Sequence, residues 1–152
     1  MWDSLFGLAN LWALVCWVAL IMLPRGAFLQ SAVLYAGIGL LCLAYLVLLA
    51  LVISGSVNVG VVDGGSPADF TTIAGVRGMF MSDGGVTIGW IHYLALDLFA
   101  GLWIARDADQ KGFSRWVQAP VLLLSFFAGP AGLLVWLVIR EKRARKGARQ
   151  AA

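Results

Sequence analysis

Charged side chains are scarce in this chain: Asp, Glu, Lys and Arg make up 12% of its 152 residues, whereas 61% are hydrophobic. A soluble domain carries about 25% charged and about 45–50% apolar residues, so the composition points away from one. One histidine and one glutamate are too few for a histidine-rich di-iron site, and no Gly-rich phosphate loop or Ser-His-Asp arrangement occurs. Cys16 and Cys42 lie in apolar runs, where they are expected to pack. We therefore expect neither a metal nor a cofactor.

Long apolar runs are what the chain does contain. Roughly 20 apolar residues in a helix cross a hydrocarbon core about 30 Å thick, and backbone groups in lipid must bond within the helix. The sequence predicts an all-α, polytopic membrane protein: a single four-helix transmembrane domain over 1–152, ending in a basic tail at 140–152. The first segment lacks a basic start and an Ala-x-Ala site, so we expect a retained helix rather than a signal peptide. The four predicted spans are 5–23, 28–53, 86–105 and 116–139.

The distribution of Lys and Arg predicts the orientation. The tail holds six of the 11 basic residues, and four spans would place it on the same side as the N-terminus and Arg77. The positive-inside rule then favours both termini in the cytoplasm. We interpret the tail as a topology anchor that touches anionic lipid headgroups, not as a nucleic-acid site. Four basic residues would lie on the other side: Arg25, Arg106, Lys111 and Arg115.

The connection between the second and third spans is roughly thirty residues long, and long connections are usually functional or mobile. Its first part, 55–67, is Gly-rich and is expected to be irregular. In its second part, Phe70, Ile73, Arg77 and Phe80 recur at helical spacing, with Asp69 as a candidate N-cap. We predict a short interfacial helix here, placed as a lid over one mouth of the bundle.

Asp97 is the residue that an apolar helix tolerates least. A carboxylate at bilayer depth costs about 2.5–3.5 kcal/mol on insertion scales, so such a residue is read as functional by default. At 100° per residue, Trp90, Tyr93, Asp97 and Gly101 share one face, which we expect to point into the bundle. Burial favours the protonated carboxyl group, which suits acid–base chemistry. The structural alternative is an acid bonded to Asn10 or Tyr45 on another helix.

His92 lies on the same predicted helix but about 140° away from Asp97. One helix cannot present the two side chains as a hydrogen-bonded pair. His92 shares its face with Leu96, Phe99 and Trp103. It is either a second reacting group at a separate point along an elongated ligand or a structural histidine bonded to another helix.

The fourth predicted span contains Gly129-Pro130. Proline removes one helical hydrogen bond and clashes with the carbonyl group four residues earlier, that of Phe126. We predict a bend there, with Ala128 and Gly132 permitting close helix packing. Two interpretations stay open: a packing kink, or a bend that opens a cavity at mid-depth.

The residues around Asp97 resemble the abscisic-acid-deficient-four-like family of small four-helix membrane proteins. The similarity begins with Gly75-Val76-Arg77, Phe80 and Ser82-Asp83. It is strongest in Gly89-Trp90-x-His92-Tyr93-Leu94-Ala95-x-Asp97-Leu98-Phe99-x-Gly101-x-Trp103-Ile104-Ala105-x-Asp107. Asn10, Pro120 and Gly129-Pro130-Ala131-Gly132 also fit. Plant members are linked to neoxanthin synthesis in plastids, and this chain lacks a transit peptide. It therefore resembles a bacterial member, expected in the inner membrane.

The resemblance implies an intramolecular, cofactor-independent reaction. A base removes a proton beside a 5,6-epoxide while an acid protonates the epoxide oxygen, giving an allene and a tertiary alcohol. Asp97 and His92 would be the acid–base residues, and Arg77 could meet a polar ligand end. Aromatic side chains would line a slot for a carotenoid or other isoprenoid. The candidate substrate-binding residues are Tyr93, Trp90, Asn10, Arg77, Phe99 and Trp103.

Two classes of function remain open from the sequence. The first is a carotenoid- or isoprenoid-modifying isomerase. The second is a non-catalytic membrane protein that binds such a lipid or supports another enzyme. A proton pathway is a weaker third interpretation, because one buried acid makes a poor relay. Four short helices are also expected to form a homodimer if one copy cannot enclose a cavity.

Overall fold

The structure is a computed structural model that describes residues 1–59 and 69–151, without the side chains of residues 142–151. The described residues form helices and contain no β-strand, so the all-α prediction is confirmed. The side chains of the predicted basic tail beyond Glu141 lie outside the described part. The helices are α1 (Trp2–Met22), α2 (Ala27–Ile53), α3 (Ile73–Met79), α4 (Asp83–Gln110), α5 (Arg115–Phe127) and α6 (Gly129–Ala151).

Three of these helices, α1, α2 and α4, are long and apolar enough to cross a membrane. They correspond to the first three predicted spans. Helix α4 has 28 residues and extends beyond the predicted 86–105 at both ends. Its polar termini continue the helix past the apolar run, because helical hydrogen bonding does not stop where hydrophobicity does. A 28-residue helix is about 42 Å long, enough to span a bilayer with its headgroups.

Helix α2 is not uniform. Its middle, Val33–Gly39, is π-helical, between α-helical stretches Ala27–Ala32 and Leu40–Ile53. The Trp12 indole donates a hydrogen bond to the carbonyl oxygen of Ala36 inside this segment, at 2.9 Å. A π-helical turn disturbs the usual i→i−4 ladder, and an outside donor helps to satisfy its carbonyl groups.

The fourth predicted span, 116–139, is not one bent helix in the structure. Helix α5 ends at Phe127 and α6 begins at Gly129, with Ala128 between them at φ −150° and ψ 79°. Pro130 lies in the first turn of α6, where its missing N–H would have no helical partner. The proline signal therefore marks a helix start. At 13 residues, α5 is too short to cross a bilayer, and the four-span count is not confirmed.

Helices α5 and α6 pack against each other as an antiparallel hairpin. Near its tip, the backbone of Gly132 lies against the backbone of Ser125. Toward its open end, the rings of Phe113 and Trp136 meet edge to face, with centroids 5.0 Å apart. The chain thus reverses at Ala128 and returns toward the level at which α5 begins.

A short helix does follow the long connection, as predicted. Helix α3 is capped by Thr72, whose hydroxyl oxygen accepts from the backbone N–H of Gly75 at 3.0 Å. Asp69, the predicted N-cap, instead accepts from the N–H groups of Thr71 and Thr72, at 2.7 and 2.9 Å. Its side chain stabilises the turn before the helix. An interfacial position for α3 stays a prediction, and most of the irregular segment predicted at 55–67 lies outside the described residues.

The residues group into two compact units. The first contains Met1–Leu14 and Tyr35–Ala95 and is packed around apolar side chains of α1, α2 and α4. At its edge the Trp2 indole donates to the carbonyl oxygen of Asn58 at 3.1 Å. The second unit contains Val15–Leu34 and Leu96–Ala152. Its fully buried side chains include Leu20, Leu98, Leu102, Ile104, Leu122 and Trp136.

Candidate functional site

Asp97 is the acidic side chain of the second unit that lies midway along an apolar helix. It is the fifteenth of the 28 residues of α4 and is only 9% exposed. The prediction that it faces protein rather than lipid agrees with this burial. A carboxyl group in the middle of an apolar helix loses its hydration, and contacts with the protein must compensate for that loss.

The tip of the α5–α6 hairpin supplies the surface beneath this carboxyl group. A Cβ atom at Gly129, the first residue of α6, would overlap Asp97 Oδ1. Glycine is therefore the residue type that lets the carboxyl group lie on the helix backbone. The N-terminus of α6 carries partial positive charge from aligned peptide groups, which favours a negative group at this position.

Ser125 adds a second polar group to the same hairpin. Its side chain is fully buried, and its hydroxyl oxygen has no hydrogen-bond partner among the described side chains and backbone. Gly132, one helical turn after Gly129, packs on the Ser125 backbone. A buried hydroxyl group without a hydrogen-bond partner is uncommon in proteins.

Aromatic side chains lie one turn farther along α4. A Cβ atom at Gly101 would overlap the indole ring of Trp17, and Trp17 is buried against Phe126 with ring centroids 5.6 Å apart. The absence of a side chain at Gly101 makes room for this indole ring. Asp97 thus lies on the hairpin tip, one helical turn before the contact between Gly101 and Trp17.

This arrangement can perform one kind of chemistry. A carboxyl group with a helix N-terminus beneath it can hold a proton or release it without leaving an isolated charge in hydrocarbon. Apolar and aromatic neighbours keep water away from this part of α4. Among the described residues, no three His, Cys, Asp or Glu side chains come together as metal ligands.

Three of the predicted binding residues, Asn10, Trp90 and Tyr93, meet in the first unit. The Trp90 indole donates to Asn10 Oδ1 at 2.9 Å, and Asn10 Nδ2 donates to the carbonyl oxygen of Phe6 at 2.8 Å. Trp90 stacks on Tyr93 and Phe6, with centroids 5.2 and 5.8 Å apart. The indole is 39% exposed, so this stack presents an aromatic surface.

His92 also belongs to the first unit and is exposed. Its ring lies 5.3 Å from that of Tyr45, at a tilt of 51°. Near it, α1, α2 and α4 border an apolar groove of about 250 Å³, whose lining includes Trp12, Leu41 and Ile91. The groove lies within the first unit and is of the apolar character that a lipid chain would occupy.

The other predicted residues lie apart from these clusters. Arg77 is exposed on α3, and Phe99 is exposed on α4. Trp103 is half-buried, and the guanidinium group of Arg140 lies 5.4 Å from its ring centroid. Trp103 is therefore engaged by a cation.

Sequence reasoning did not assign a role to Asp107, which is buried near the end of α4. It accepts from Lys111 Nζ at 2.7 Å, from Trp136 Nε1 at 3.0 Å and from Arg140 at 2.9 and 3.1 Å. The four-residue spacing between Asp107 and Lys111 could have predicted their ion pair. The bonds to Trp136 and Arg140 could not be predicted in this way, because they depend on the hairpin that brings α6 back to α4.

A second polar group of residues joins the α1–α2 connection to α4 and α5. Arg25, whose side chain is 2% exposed, contacts Asp109 at 3.3 Å and also donates to Gln118. Burial lowers the pKa of the Arg25 guanidinium below its ordinary value, and the Asp109 carboxylate opposes that shift. Arg115 donates to the carbonyl oxygen of Leu23. These contacts fix the end of the second unit opposite the hairpin tip.

These features define a class: a helical membrane protein with a carboxyl group buried midway along one of its apolar helices. The sequence model of the ABA DEFICIENT 4-like family matches residues 4–136, and the chain belongs to this family. The resemblance noted in the sequence is thereby confirmed, and the match includes Asp97, Gly129 and Gly132. Comparison with curated proteins and comparison with solved structures gave no match.

Proposed function

We propose that this protein isomerises a carotenoid or related isoprenoid inside the membrane by cofactor-independent acid–base chemistry at Asp97. The observation that supports this is the buried Asp97 carboxyl group on the backbone of Gly129, at the start of α6. Membership of a family whose plant members are linked to neoxanthin synthesis supports the substrate class. The inner membrane of a bacterium and a homodimeric state remain predictions.

The proposed step moves one proton and leaves the composition of the substrate unchanged. The carboxylate removes a proton from carbon beside an epoxide, the C–O bond opens, and a proton is delivered to the oxygen. An allene and an alcohol result in the epoxide case. One carboxyl group can serve first as base and then as acid. The α6 N-terminus, on which the carboxyl group lies, is suited to stabilise developing negative charge.

His92 is the second proposed acid–base residue, acting at a separate point of an elongated substrate. The His92 side chain is exposed and lies beside the Tyr45 ring, whereas Asp97 is buried. The stack of Asn10, Trp90 and Tyr93 is the proposed binding surface for the apolar chain. Arg77, Phe99 and Trp103 stay in the proposal as peripheral binding residues.

The experiment is pigment analysis in a bacterial host that makes or is supplied with defined carotenoids, including a 5,6-epoxide. Wild type, Asp97→Asn and the matched control Asp83→Asn are expressed, and pigments are separated and identified by mass. Asp83 is on the same helix but exposed. Asp83→Asn therefore makes the same chemical change away from the Asp97 site. We expect product from wild type and control, and a loss of at least 100-fold, of the order that a lost acid–base residue costs, for Asp97→Asn.

Two outcomes would contradict the catalytic role. Full conversion by folded Asp97→Asn would remove Asp97 from the chemistry. Absence of product in every sample, with one carotenoid copurifying equally with wild type and Asp97→Asn, would favour the second function.

That second function is a carotenoid-binding or accessory role without catalysis. The stacked Phe6, Trp90 and Tyr93 rings and the adjoining apolar groove favour it. In this case Trp90→Leu should reduce copurifying pigment several-fold while Asp97→Asn leaves it unchanged. Trp116→Leu is the matched control, since Trp116 is 89% exposed and lies outside the stack.

A further inference from the structure

The second arm of the α5–α6 hairpin comes back to the end of α4. Arg140 of α6 forms an ion pair with Asp107 at 2.9 Å, and Trp136 donates to the same carboxylate at 3.0 Å. Helix α5 is about 20 Å long, and α6 covers about 17 Å between Gly129 and Arg140. The two arms therefore have nearly equal depth, and Arg140 lies at the level from which α5 starts.

The connection between α1 and α2 lies at that same end of the second unit. Arg25 donates to the Ala105 carbonyl oxygen at 3.4 Å and pairs with Asp109. Arg106 donates to Gln30 Oε1 at 3.1 Å. Two connections and the beginning of the tail thus share one face, which we call the basic face. It comprises Arg25, Arg106, Lys111, Arg115, Arg140 and the chain that follows Arg140.

Charge is distributed very unevenly once the hairpin is taken into account. Five of the 11 Lys and Arg residues are the named members of the basic face, five more follow in the tail, and Arg77 alone is in the connection between α2 and α4. Three acids accompany the ten cations: Asp107, Asp109 and Glu141. Four acids precede α4 or begin it: Asp3, Asp63, Asp69 and Asp83.

We propose that α5–α6 is a re-entrant hairpin, and that the basic face lies on the cytoplasmic side, where its cations other than the buried Arg25 contact anionic lipid headgroups. Three spans then place the N-terminus on the opposite side from the C-terminus. This orientation separates Lys and Arg ten to one, whereas four spans would separate them seven to four. The positive-inside rule therefore favours the re-entrant arrangement strongly, and anionic headgroups match the excess positive charge.

A re-entrant segment also meets the backbone requirement of a membrane. The non-helical residue Ala128 lies beside buried protein, because Gly129 contacts Asp97 and Gly132 contacts Ser125. Irregular backbone at membrane depth is tolerated only where protein or an aqueous cavity surrounds it. The half-length arms meet this condition at their tip.

Single-cysteine labelling in the full-length protein tests the topology. In a Cys16→Ala, Cys42→Ala background, Ser4→Cys, Ser114→Cys and Glu141→Cys are treated with a membrane-impermeant maleimide in intact cells and in permeabilised cells. All three positions are exposed. We expect at least ten-fold more labelling of Ser4→Cys than of the other two in intact cells, and equal labelling after permeabilisation. Labelling of Ser114→Cys and Glu141→Cys from opposite sides would overturn the hairpin.

An antibody against an N-terminal epitope tag on the otherwise native chain repeats the test if the cysteine-free background does not fold. Access from outside the cell supports the proposal, and access only after permeabilisation overturns it.

The lipid contact has its own measurement. The Tm of the purified protein is compared in vesicles of phosphatidylcholine alone and of phosphatidylcholine with roughly 30% phosphatidylglycerol, an anionic lipid. We expect a rise of about 3 °C with the anionic lipid, lost at 1 M salt because the interaction is screened. Lys142→Gln/Arg143→Gln should reduce the rise and Arg77→Gln should not. Equal Tm in both vesicles, or RNA binding without lipid preference, would overturn this assignment.

Discussion

The carboxyl group of Asp97 occupies the space that a side chain on Gly129 would need. The two residues lie on different helices, and each restricts the other: an alanine at 129 has no room, and an aspartate at 97 has this surface only because 129 is glycine.

Gly129→Ala should therefore destabilise the protein by about 1–3 kcal/mol, the usual cost of inserting a group into a packed site. Thermal unfolding in detergent measures this. Gly7→Ala is the matched control, because nothing lies within 4 Å of a Cβ atom there. In an Asp97→Ala background the cost of Gly129→Ala should largely disappear. Additive effects in that double-mutant cycle would show that the two residues do not restrict each other.

Gly132→Ala tests the close approach of the hairpin arms. A helix interior gains about 1 kcal/mol when glycine becomes alanine. The new Cβ atom would lie 2.5 Å from the backbone of Ser125, which cannot rotate away as a side chain can. We expect a net loss of stability despite the gain in helix propensity. A raised Tm, as expected for Gly7→Ala, would mean that the arms separate at little cost.

Asp107→Asn should destabilise the hairpin, because Asp107 accepts from Lys111, Trp136 and Arg140. Hydrogen bonds to a charged acceptor contribute about 1.5–3 kcal/mol each at most, and the half-exposed cations reduce this, so we expect about 1–3 kcal/mol in total. Limited proteolysis near Arg140, at the open end of the hairpin, should accelerate. Asp83→Asn, on the exposed first turn of α4, should change neither quantity measurably.

The stability of the turn at Asp69 should depend on pH. The backbone N–H of Thr71 and the hydroxyl group of the same residue hold the pKa of the Asp69 carboxyl below its ordinary value, with the N–H of Thr72 adding to the effect. Because the folded pKa is the lower one, the turn adds stability above the ordinary carboxyl pKa. That contribution is lost as the pH falls through the lowered value. The amide NMR shifts of Thr71 and Thr72 in micelles should report this midpoint, and Asp69→Asn should abolish the transition. A midpoint at or above the ordinary carboxyl value would contradict it.

The sequence predicts much of this fold because apolar length is a strong signal. Most ends of the first three predicted spans lie within a few residues of the ends of α1, α2 and α4. An apolar run of this length is most simply accommodated as a membrane-spanning helix. Burial of Asp97 was also predictable, because a carboxyl group in an apolar helix has only one acceptable face. The separation of His92 from Asp97 followed from helical angle alone.

The hairpin could not be predicted in the same way. Proline after glycine fits a bent helix and a helix start equally well, and the 24 uncharged, mostly apolar residues at 116–139 are long enough to span. The decision depends on tertiary contacts: Gly132 against Ser125, and Arg140 with Asp107. Asp69 illustrates the same limit, because Asp69 and Thr72 are both good N-cap residues and only their geometry distinguishes them.

Two lengths in the second unit are matched. Gln110 follows Asp97 by 13 positions on α4, and α5 contains 13 residues, so both stretches measure about 20 Å along their axes. Helix α5 therefore acts as a ruler that sets the depth at which Gly129 meets α4. An insertion of one turn in α5 would move that meeting point about 5 Å past Asp97. In this chain the length of a short helix sets a position that no single side chain of that helix sets.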